Sequence, residues 1–211
     1  MKKLKENYRN YAKDKEIILS SIISFAFLFA SLIINFYAGT YATEKASSPV
    51  TDIILSNIPV FNVNWIFSYG AIALFIFITL LCLYNPKKIP FTIKSLAIFT
   101  IIRAVFISLT HLGPFPTQAA VDMGSLISKF TFGGDLFFSG HTGIPFLMAL
   151  IFWQNKILRY IFLVLSFIFG TIVLMGHLHY SIDVLSAFFI TYTIFYIAIF
   201  LFKKDRDIFL K

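Results

Sequence analysis

The sequence predicts an all-α integral membrane protein built as a six-transmembrane-helix bundle. Hydrophobic residues make up 58% of the 211 residues and charged residues only 13%, whereas soluble globular chains carry about 25% charge. Six apolar runs approach the roughly 20 residues that a helix needs to cross a bilayer. These runs are residues 17–38, 65–84, 91–112, 136–153, 157–176 and 180–202. We expect a membrane catalytic domain over 17–202, a cytoplasmic segment 1–16 and a cytoplasmic tail 203–211.

The segments between the runs have the composition of turns and loops. Residues 39–64 and 113–135 are rich in Pro, Gly and small polar residues, and they are expected to form the two longer loops on one side. Two short polar turns, at residues 85–90 and 154–156, are expected on the other side. In the first of them Pro86 and Pro90 end one helix and begin the next.

The positive charges predict which side faces the cytoplasm. All but three of the eighteen Lys and Arg residues lie in four segments: before the first run, at residues 87–94, at residues 156–159 and after the sixth run. Six spans place these segments on one side, which the positive-inside rule assigns to the cytoplasm. We therefore expect a multi-pass protein of the cell (plasma) membrane with both termini inside. The net charge of +8 is attributed to topology and anionic-lipid contact, and no nucleic-acid partner is expected.

Ionisable residues gather at the outer ends of the predicted spans. The chain has four histidines, and each is expected at such an end: His111, His141, His177 and His179. Any one alone is typical of a hydrated helix end. Together with Asp183 and Arg103 the set favours a functional site, because ionisable groups at membrane depth are costly and usually functional.

His179 and Asp183 are spaced i, i+4, so their side chains share one helix face. A carboxylate in that position can accept a hydrogen bond from one imidazole nitrogen and leave the other free as a nucleophile. The alternative is a local pair that closes the helix end. The catalytic interpretation is favoured because burying a carboxylate one turn into an apolar helix merely as a cap is expensive.

His141 lies in a short motif with phosphate-binding character. Gly140 allows close approach of the backbone to a ligand, and the amides of a helix start attract phosphate. The sixth helix begins on the same side, so two helix N-termini are expected to face one spot. A hydrated helix start is the alternative, but the His-x-x-x-Asp pattern about forty residues later favours a site.

Arg103 lies about twelve residues, or roughly 18 Å, into the third span. A guanidinium at that depth needs an anionic partner. Asp183, Asp135 and a substrate phosphate are the candidates, and a purely structural Arg–Asp pair is the alternative.

These segments resemble the motifs of the sphingomyelin synthase family, within the type 2 phosphatidic acid phosphatase (PAP2) superfamily. Residues 134–142 (GDLFFSGHT) and 177–184 (HLHYSIDV) resemble the two catalytic motifs. Residues 49–52 with Pro59, and residues 103–114, resemble the two upstream motifs in the same order. The resemblance therefore spans residues 49–195, which is nearly the whole predicted membrane core.

The resemblance implies a two-step phosphotransfer through a phosphohistidine intermediate. His179 would attack phosphorus, Asp183 would orient it, and His141 would protonate the departing lipid oxygen. Neither a metal nor a cofactor is expected. The expected partners are phospholipid and lipid-alcohol substrates of the ceramide or diacylglycerol type, and a homo-oligomer is left open. The expected substrate-binding residues are Arg103, Asp135, Ser139, Gly140, Thr142, Tyr180 and His111.

Three positions depart from the general phosphatase signature. Ala104 follows Arg103 where that signature has proline, and Ile172 and Val173 stand where it has Ser-Arg. The missing cations favour a transferase over the alternative, a lipid phosphatase or phospholipase C-like hydrolase that uses water. A transporter or channel with a histidine proton path is a third hypothesis. It is disfavoured because proton paths usually thread charges through the midplane.

Overall fold

The computed structural model describes residues 2–119 and 134–210. Within these ranges the regular structure consists of eight α-helices and one 3-10 turn at Pro86–Lys88, without β-strands. The helices are α1 (Lys2–Lys13), α2 (Lys15–Glu44), α3 (Asn64–Tyr84), α4 (Ile89–Leu109), α5 (Gly140–Ile151), α6 (Lys156–Met175), α7 (Ser181–Leu201) and α8 (Lys203–Leu210). The predicted all-helical membrane architecture is confirmed. Most of the predicted loop 113–135, including Lys129, lies outside the described residues.

In the described part of the chain, five helices are long and apolar enough to cross a membrane: α2, α3, α4 with its preceding 3-10 turn, α6 and α7. Three predicted runs, 65–84, 157–176 and 180–202, match α3, α6 and α7 to within a residue at each end. The run 91–112 overlaps α4 but extends past its end at Leu109. Several apolar helices of this length indicate a multi-pass membrane protein.

The prediction of a full span over 136–153 is wrong at its start. The helix there, α5, has only 12 residues, or about 18 Å of the roughly 30 Å hydrocarbon thickness. The Ser139 side chain accepts a hydrogen bond from the Thr142 amide and so fixes the helix start. The preceding carbonyls of Asp135 and Phe138 accept from Arg103. These contacts keep residues 135–139 out of the helix.

The prediction of a loop beginning at residue 39 is also wrong, because α2 continues to Glu44. A glycine inside an apolar run predicts a boundary, but Gly39 is buried within the helix. The Thr43 hydroxyl donates to the Gly39 carbonyl and accepts from the Gly134 amide. The segment before α5 therefore packs against the last turn of α2.

The helices do not pack equally closely. α2 lies along α4, and α5 packs between α6 and α7, so that these elements form the tight part of the bundle. α3 stands further out, with its main contacts to α6, the 3-10 turn and α4. Most of the large residues that are fully buried, such as Phe91, Phe99, Phe138 and Phe162, belong to α4, α5, α6 and the segment before α5.

Three polar residues connect α8 to the end of the bundle opposite the histidines. Lys94 Nζ lies 2.6 Å from Asp205 Oδ2 and 2.8 Å from Ser20 Oγ, and Ser20 Oγ donates to Asp205 Oδ1 at 2.6 Å. We call these three residues the tail cluster. They link α2, α4 and α8, so the C-terminal segment is a helix docked on the bundle.

Candidate active site

The starts of α5 and α7 lie side by side. The Ser139 amide donates to the Asp183 carbonyl at 3.2 Å, across 44 residues of sequence. Ser139 and Tyr180 are the N-cap residues of the two helices. The N-termini of α5 and α7 are therefore close together, as the sequence predicts. Free amides at such ends favour negatively charged groups.

His179 is held by two acceptors on its Nδ1 atom. Nδ1 lies 2.8 Å from the Leu136 carbonyl oxygen and 3.4 Å from Asp183 Oδ2. A carbonyl oxygen can only accept a hydrogen bond, so Nδ1 carries the proton in the neutral ring. The Nε2 atom is then the unprotonated nitrogen, with its lone pair available.

Asp183 is completely buried, and its two oxygens differ. Oδ2 accepts from the Tyr180 amide at 2.9 Å and lies next to His179. Oδ1 has no hydrogen-bond partner among the described residues. Asp183 is therefore both a helix cap and the carboxylate beside an imidazole, so the two interpretations of the His-x-x-x-Asp spacing are not exclusive.

His141 lies in an aromatic environment. Its ring stacks on Phe67, with centroids 3.9 Å apart and planes 22° apart, and Phe169 packs at 5.9 Å. Its Nε2 atom is buried and has no partner in the described part of the chain. Because buried polar atoms normally find a partner, this nitrogen is a candidate for contact with a bound molecule.

Arg103 pairs with Asp135 and not with Asp183. Arg103 Nη2 lies 3.0 Å from Asp135 Oδ2 and 2.7 Å from the Asp135 carbonyl, and Nε donates to the Phe138 carbonyl at 3.0 Å. A Cβ atom on Gly140 would meet Arg103 Nε at 3.6 Å. Arg103 is thus fixed beside the start of α5, and its Nη1 atom makes no hydrogen bond to the described residues.

One cavity of about 1030 Å³ receives the main candidate side chains. Arg103, Asp135, Gly140, His141 and His179 all line it. The two histidines therefore open on the same space, together with the Arg103–Asp135 pair. This shared cavity is the geometry that proton transfer and nucleophilic attack on one bound molecule require.

The other predicted site residues do not line the cavity. Ser139 and Thr142 bond to each other at the start of α5. The Tyr180 hydroxyl donates to the Gly113 carbonyl at 2.8 Å and accepts from the Val50 amide at 3.2 Å. His111 packs its ring against Tyr41, and its carbonyl accepts from the Ser47 amide. A direct substrate contact by any of them remains a prediction.

Asp52, the last residue of the first upstream motif, is a structural partner of the site. Its Oδ2 accepts from the Ser181 amide at 2.7 Å and from the Ser181 hydroxyl at 2.8 Å. Its Oδ1 accepts from the Ile54 and Leu55 amides. Burial raises the pKa of Asp52, but these four hydrogen bonds outweigh that effect and hold the pKa below its ordinary value. Asp52 thus ties the loop 46–63 to the first residue of α7.

Apart from the motif, one local signal in the sequence indicates a structural role for Asp52. An Asp in a loop commonly accepts hydrogen bonds from the backbone amides two and three residues later, and its side chain then caps a turn. The long-range contact with Ser181 has no such local signal. The described residues contain no group of three or more His, Cys, Asp or Glu arranged to hold a metal ion.

The fold and the site together define a helical multi-pass membrane protein with a histidine-lined cavity at one end of its bundle. Residues 133–200 match the family model described as PAP2 superfamily C-terminal. The matched segment contains α5, α6, nearly all of α7, and both cavity histidines. The match supports membership of the PAP2 superfamily, which suggests a lipid enzyme of the phosphatase or phosphotransferase type. No curated protein and no solved structure gives a significant match to the chain.

Proposed function

We propose that this protein is a membrane lipid phosphotransferase of the sphingomyelin synthase-like type. It would move a phospho-alcohol head group from a phospholipid to a lipid alcohol such as diacylglycerol or ceramide. The observation that carries the proposal is the shared cavity, in which His141 and an Nδ1-protonated His179 face the same space as Arg103. The active site lies on the outer face of the cell membrane, with both termini cytoplasmic.

In the first half-reaction, the lone pair of His179 Nε2 attacks phosphorus and the bond from phosphorus to the lipid oxygen breaks. His141 Nε2 gives a proton to that oxygen, and the lipid alcohol leaves. The phosphodiester becomes a phosphohistidine on His179. Asp183 stabilises the positive charge of the substituted imidazole because its carboxylate lies next to Nδ1. Arg103 and the start of α5, where Gly140 and His141 line the cavity, stabilise the negative phosphoryl oxygens.

In the second half-reaction, the acceptor lipid alcohol gives its proton to His141 Nε2 while its oxygen attacks phosphorus. The phosphorus–nitrogen bond breaks and His179 Nε2 regains its lone pair. Both protons and the head group are then accounted for, so His141 can act as acid in one step and base in the next.

A lipid phosphatase or phospholipase C-like hydrolase is the second candidate, because the PAP2 superfamily match also suggests phosphatase-type chemistry. In that case water takes the place of the acceptor alcohol. Two buried apolar residues, Ile172 and Val173, favour the transferase. They occupy the positions of the Ser-Arg pair in the general phosphatase signature, so a phosphate-binding cation is missing there.

The test uses purified full-length protein in vesicles with a phospholipid labelled in its head group, with and without diacylglycerol or ceramide. Label on the acceptor lipid supports the transferase, and free phosphate or free phospho-alcohol supports the hydrolase. Neither product from the wild type would contradict both candidates. His141→Ala and His179→Ala should abolish turnover, whereas Tyr192→Phe, on an exposed position of α7, is the matched control.

A further inference from the structure

The cavity that holds the histidines extends far beyond them. It continues between α2, α3 and α4, and residues of these three helices line it as far as the opposite end. Beside the histidines the lining includes Phe67 of α3 and Arg103 of α4. At the far end it includes Leu83 of α3, Ile89 of α4 and Phe25 of α2. We call this extension the α2–α3 cleft.

The α2–α3 cleft is too long for a head-group pocket. Sixteen residues separate Phe67 from Leu83, which is about 24 Å along a helix. Half of a hydrocarbon layer is only about 15 Å thick. The cleft therefore passes the midplane of the bilayer and has the length of an extended hydrocarbon chain.

The walls of the cleft beyond Arg103 are almost entirely apolar. Leu74, Ile78 and Leu96 are buried side chains of this lining. Two of its hydroxyl groups, on Thr79 and Thr100, already donate their protons to carbonyls of their own helices. Asn35 of α2 is a further polar side chain of the lining, but the surface as a whole suits a hydrocarbon chain.

The cleft is open on one side and closed at its end. Phe25 of α2 and Phe75 of α3 line it and are still about half exposed, so the gap between these two helices faces the surrounding lipid. At the end, Leu83 and Ile89 are the last lining residues, and they flank the tight turn at Pro86–Lys88 that joins α3 to α4. Cys82 is buried near this closed end.

We propose that the α2–α3 cleft holds one hydrocarbon chain of the lipid substrate and that its closed end near Cys82 limits the length of that chain. Continuity with the histidines identifies the occupant, because a phosphate between Arg103 and His179 places the attached chain at the mouth of the cleft. The chain enters sideways between α2 and α3. This inference rests on the proposed action on lipids, and it adds a selectivity for chain length to it.

The first experiment fills the cleft half-way with Ile78→Trp, while Ile76→Trp on the exposed side of α3 is the matched control. Turnover is measured with stearoyl and decanoyl phospholipids that share one head group. Each methylene excluded from the cleft costs about a factor of four in binding. Ile78→Trp should therefore lower the stearoyl-to-decanoyl ratio of kcat/KM by about tenfold or more, and Ile76→Trp should leave it unchanged.

The second experiment needs no turnover, because Cys82 is the single cysteine of the chain. The rate of its alkylation by N-ethylmaleimide is measured in wild-type protein with stearoyl or decanoyl phospholipid bound. The longer chain should slow alkylation several-fold more than the shorter one. Phe75→Leu, which keeps an apolar lining, is a milder variant for the same measurement.

The outcomes separate this inference from the proposed function. An unchanged chain-length ratio in a folded, active Ile78→Trp variant would overturn the length limit and leave lipid transfer intact. If that variant does not fold, equal protection of Cys82 by both chains would overturn it instead. If the wild type turned over no lipid, the proposed function would be contradicted. Protection of Cys82 that depends on the length of the hydrocarbon chain would still support a hydrocarbon site.

Discussion

The two ends of the bundle each bury a cation beside a carboxylate, but they differ in how completely the polar atoms are used. In the tail cluster, Lys94 binds both Ser20 and Asp205, and Ser20 also binds the second oxygen of Asp205. Lys94 additionally lies 5.3 Å from the centroid of the Phe202 ring. Each side-chain oxygen of this cluster therefore has a partner.

At the histidine end, some buried polar atoms lack such partners among the described residues. His141 Nε2 and Asp183 Oδ1 are buried without a partner among the described residues, and His141 opens on a large cavity. Unused polar atoms cost free energy on folding unless a ligand or water satisfies them. The comparison teaches that a buried ion pair alone does not mark a functional site. The proposed site is favoured by a cavity-lining imidazole, that of His141, whose Nε2 atom has no partner among the described residues.

The largest expected effect is at the histidine end. His179→Ala removes the proposed nucleophile, and we expect turnover to fall by about 10⁴-fold or more. Stability should fall by only about 1–3 kcal/mol, because the buried side chain loses its hydrogen bond to the Leu136 carbonyl. Activity assays combined with thermal unfolding in the same detergent check both statements. Turnover close to that of the wild type would exclude a phosphohistidine on His179.

The tail cluster should respond in the opposite way. Lys94→Met leaves Asp205 buried without its cation, which costs about 3–5 kcal/mol when one partner of a buried pair is removed. The protein should unfold at a lower temperature while the remaining folded fraction keeps its specific activity. The double variant Lys94→Met/Asp205→Leu should recover much of the stability. If Lys94→Met lost activity at unchanged stability, the assignment of the two ends would be wrong.

Arg103→Lys tests whether the histidine end needs a guanidinium or only a positive charge. Lysine cannot contact Asp135 and the Phe138 carbonyl in the same planar arrangement. We expect kcat to fall by about 10²-fold through weaker stabilisation of the phosphoryl oxygens. The unfolding temperature should change less than it does for Lys94→Met. Full activity would indicate that Arg103 serves packing alone.

The smallest effect is expected at Asp52, which contacts the start of α7 without lining the cavity. Its lowered pKa means that the carboxylate stabilises the fold above pH about 3.8 and that this contribution is lost as the pH falls through the lower folded-state pKa. Asp52→Asn removes the charge and should cost about 1–2 kcal/mol through weaker hydrogen bonds to Ser181.

Two readouts test the Asp52 prediction. Thermal unfolding of the wild type should show an acid-dependent loss of stability that is smaller in Asp52→Asn. Turnover should fall several-fold at unchanged KM, because the position of His179 and Asp183 relaxes while the cavity stays intact. Identical pH profiles in the two proteins would remove Asp52 from this role.

The sequence by itself determined the features that depend on local periodicity. Apolar runs of sufficient length predicted α3, α6 and α7 within a residue or so, because burying a backbone in lipid leaves few alternatives to a helix. The i, i+4 spacing also predicted that His179 and Asp183 meet, and they do, but His179 lies two residues before α7 and not on a face of that helix. The mistakes at Gly39 and before Gly140 arose where side-chain hydrogen bonds, and not apolar length, decide where a helix begins or ends.

Only the tertiary structure decided which groups meet across the chain. Three partners for Arg103 were compatible with the sequence, and the structure pairs it with Asp135. The i, i+4 spacing predicted the Asp183 carboxylate as the partner of His179 Nδ1, whereas the shorter contact of Nδ1 is with the Leu136 carbonyl, 43 residues away. Neither the contact between Asp52 and Ser181 nor the cleft between α2 and α3 could be predicted from the sequence. Composition reports how strongly a segment prefers lipid, but the partner of a buried polar atom depends on how whole helices pack.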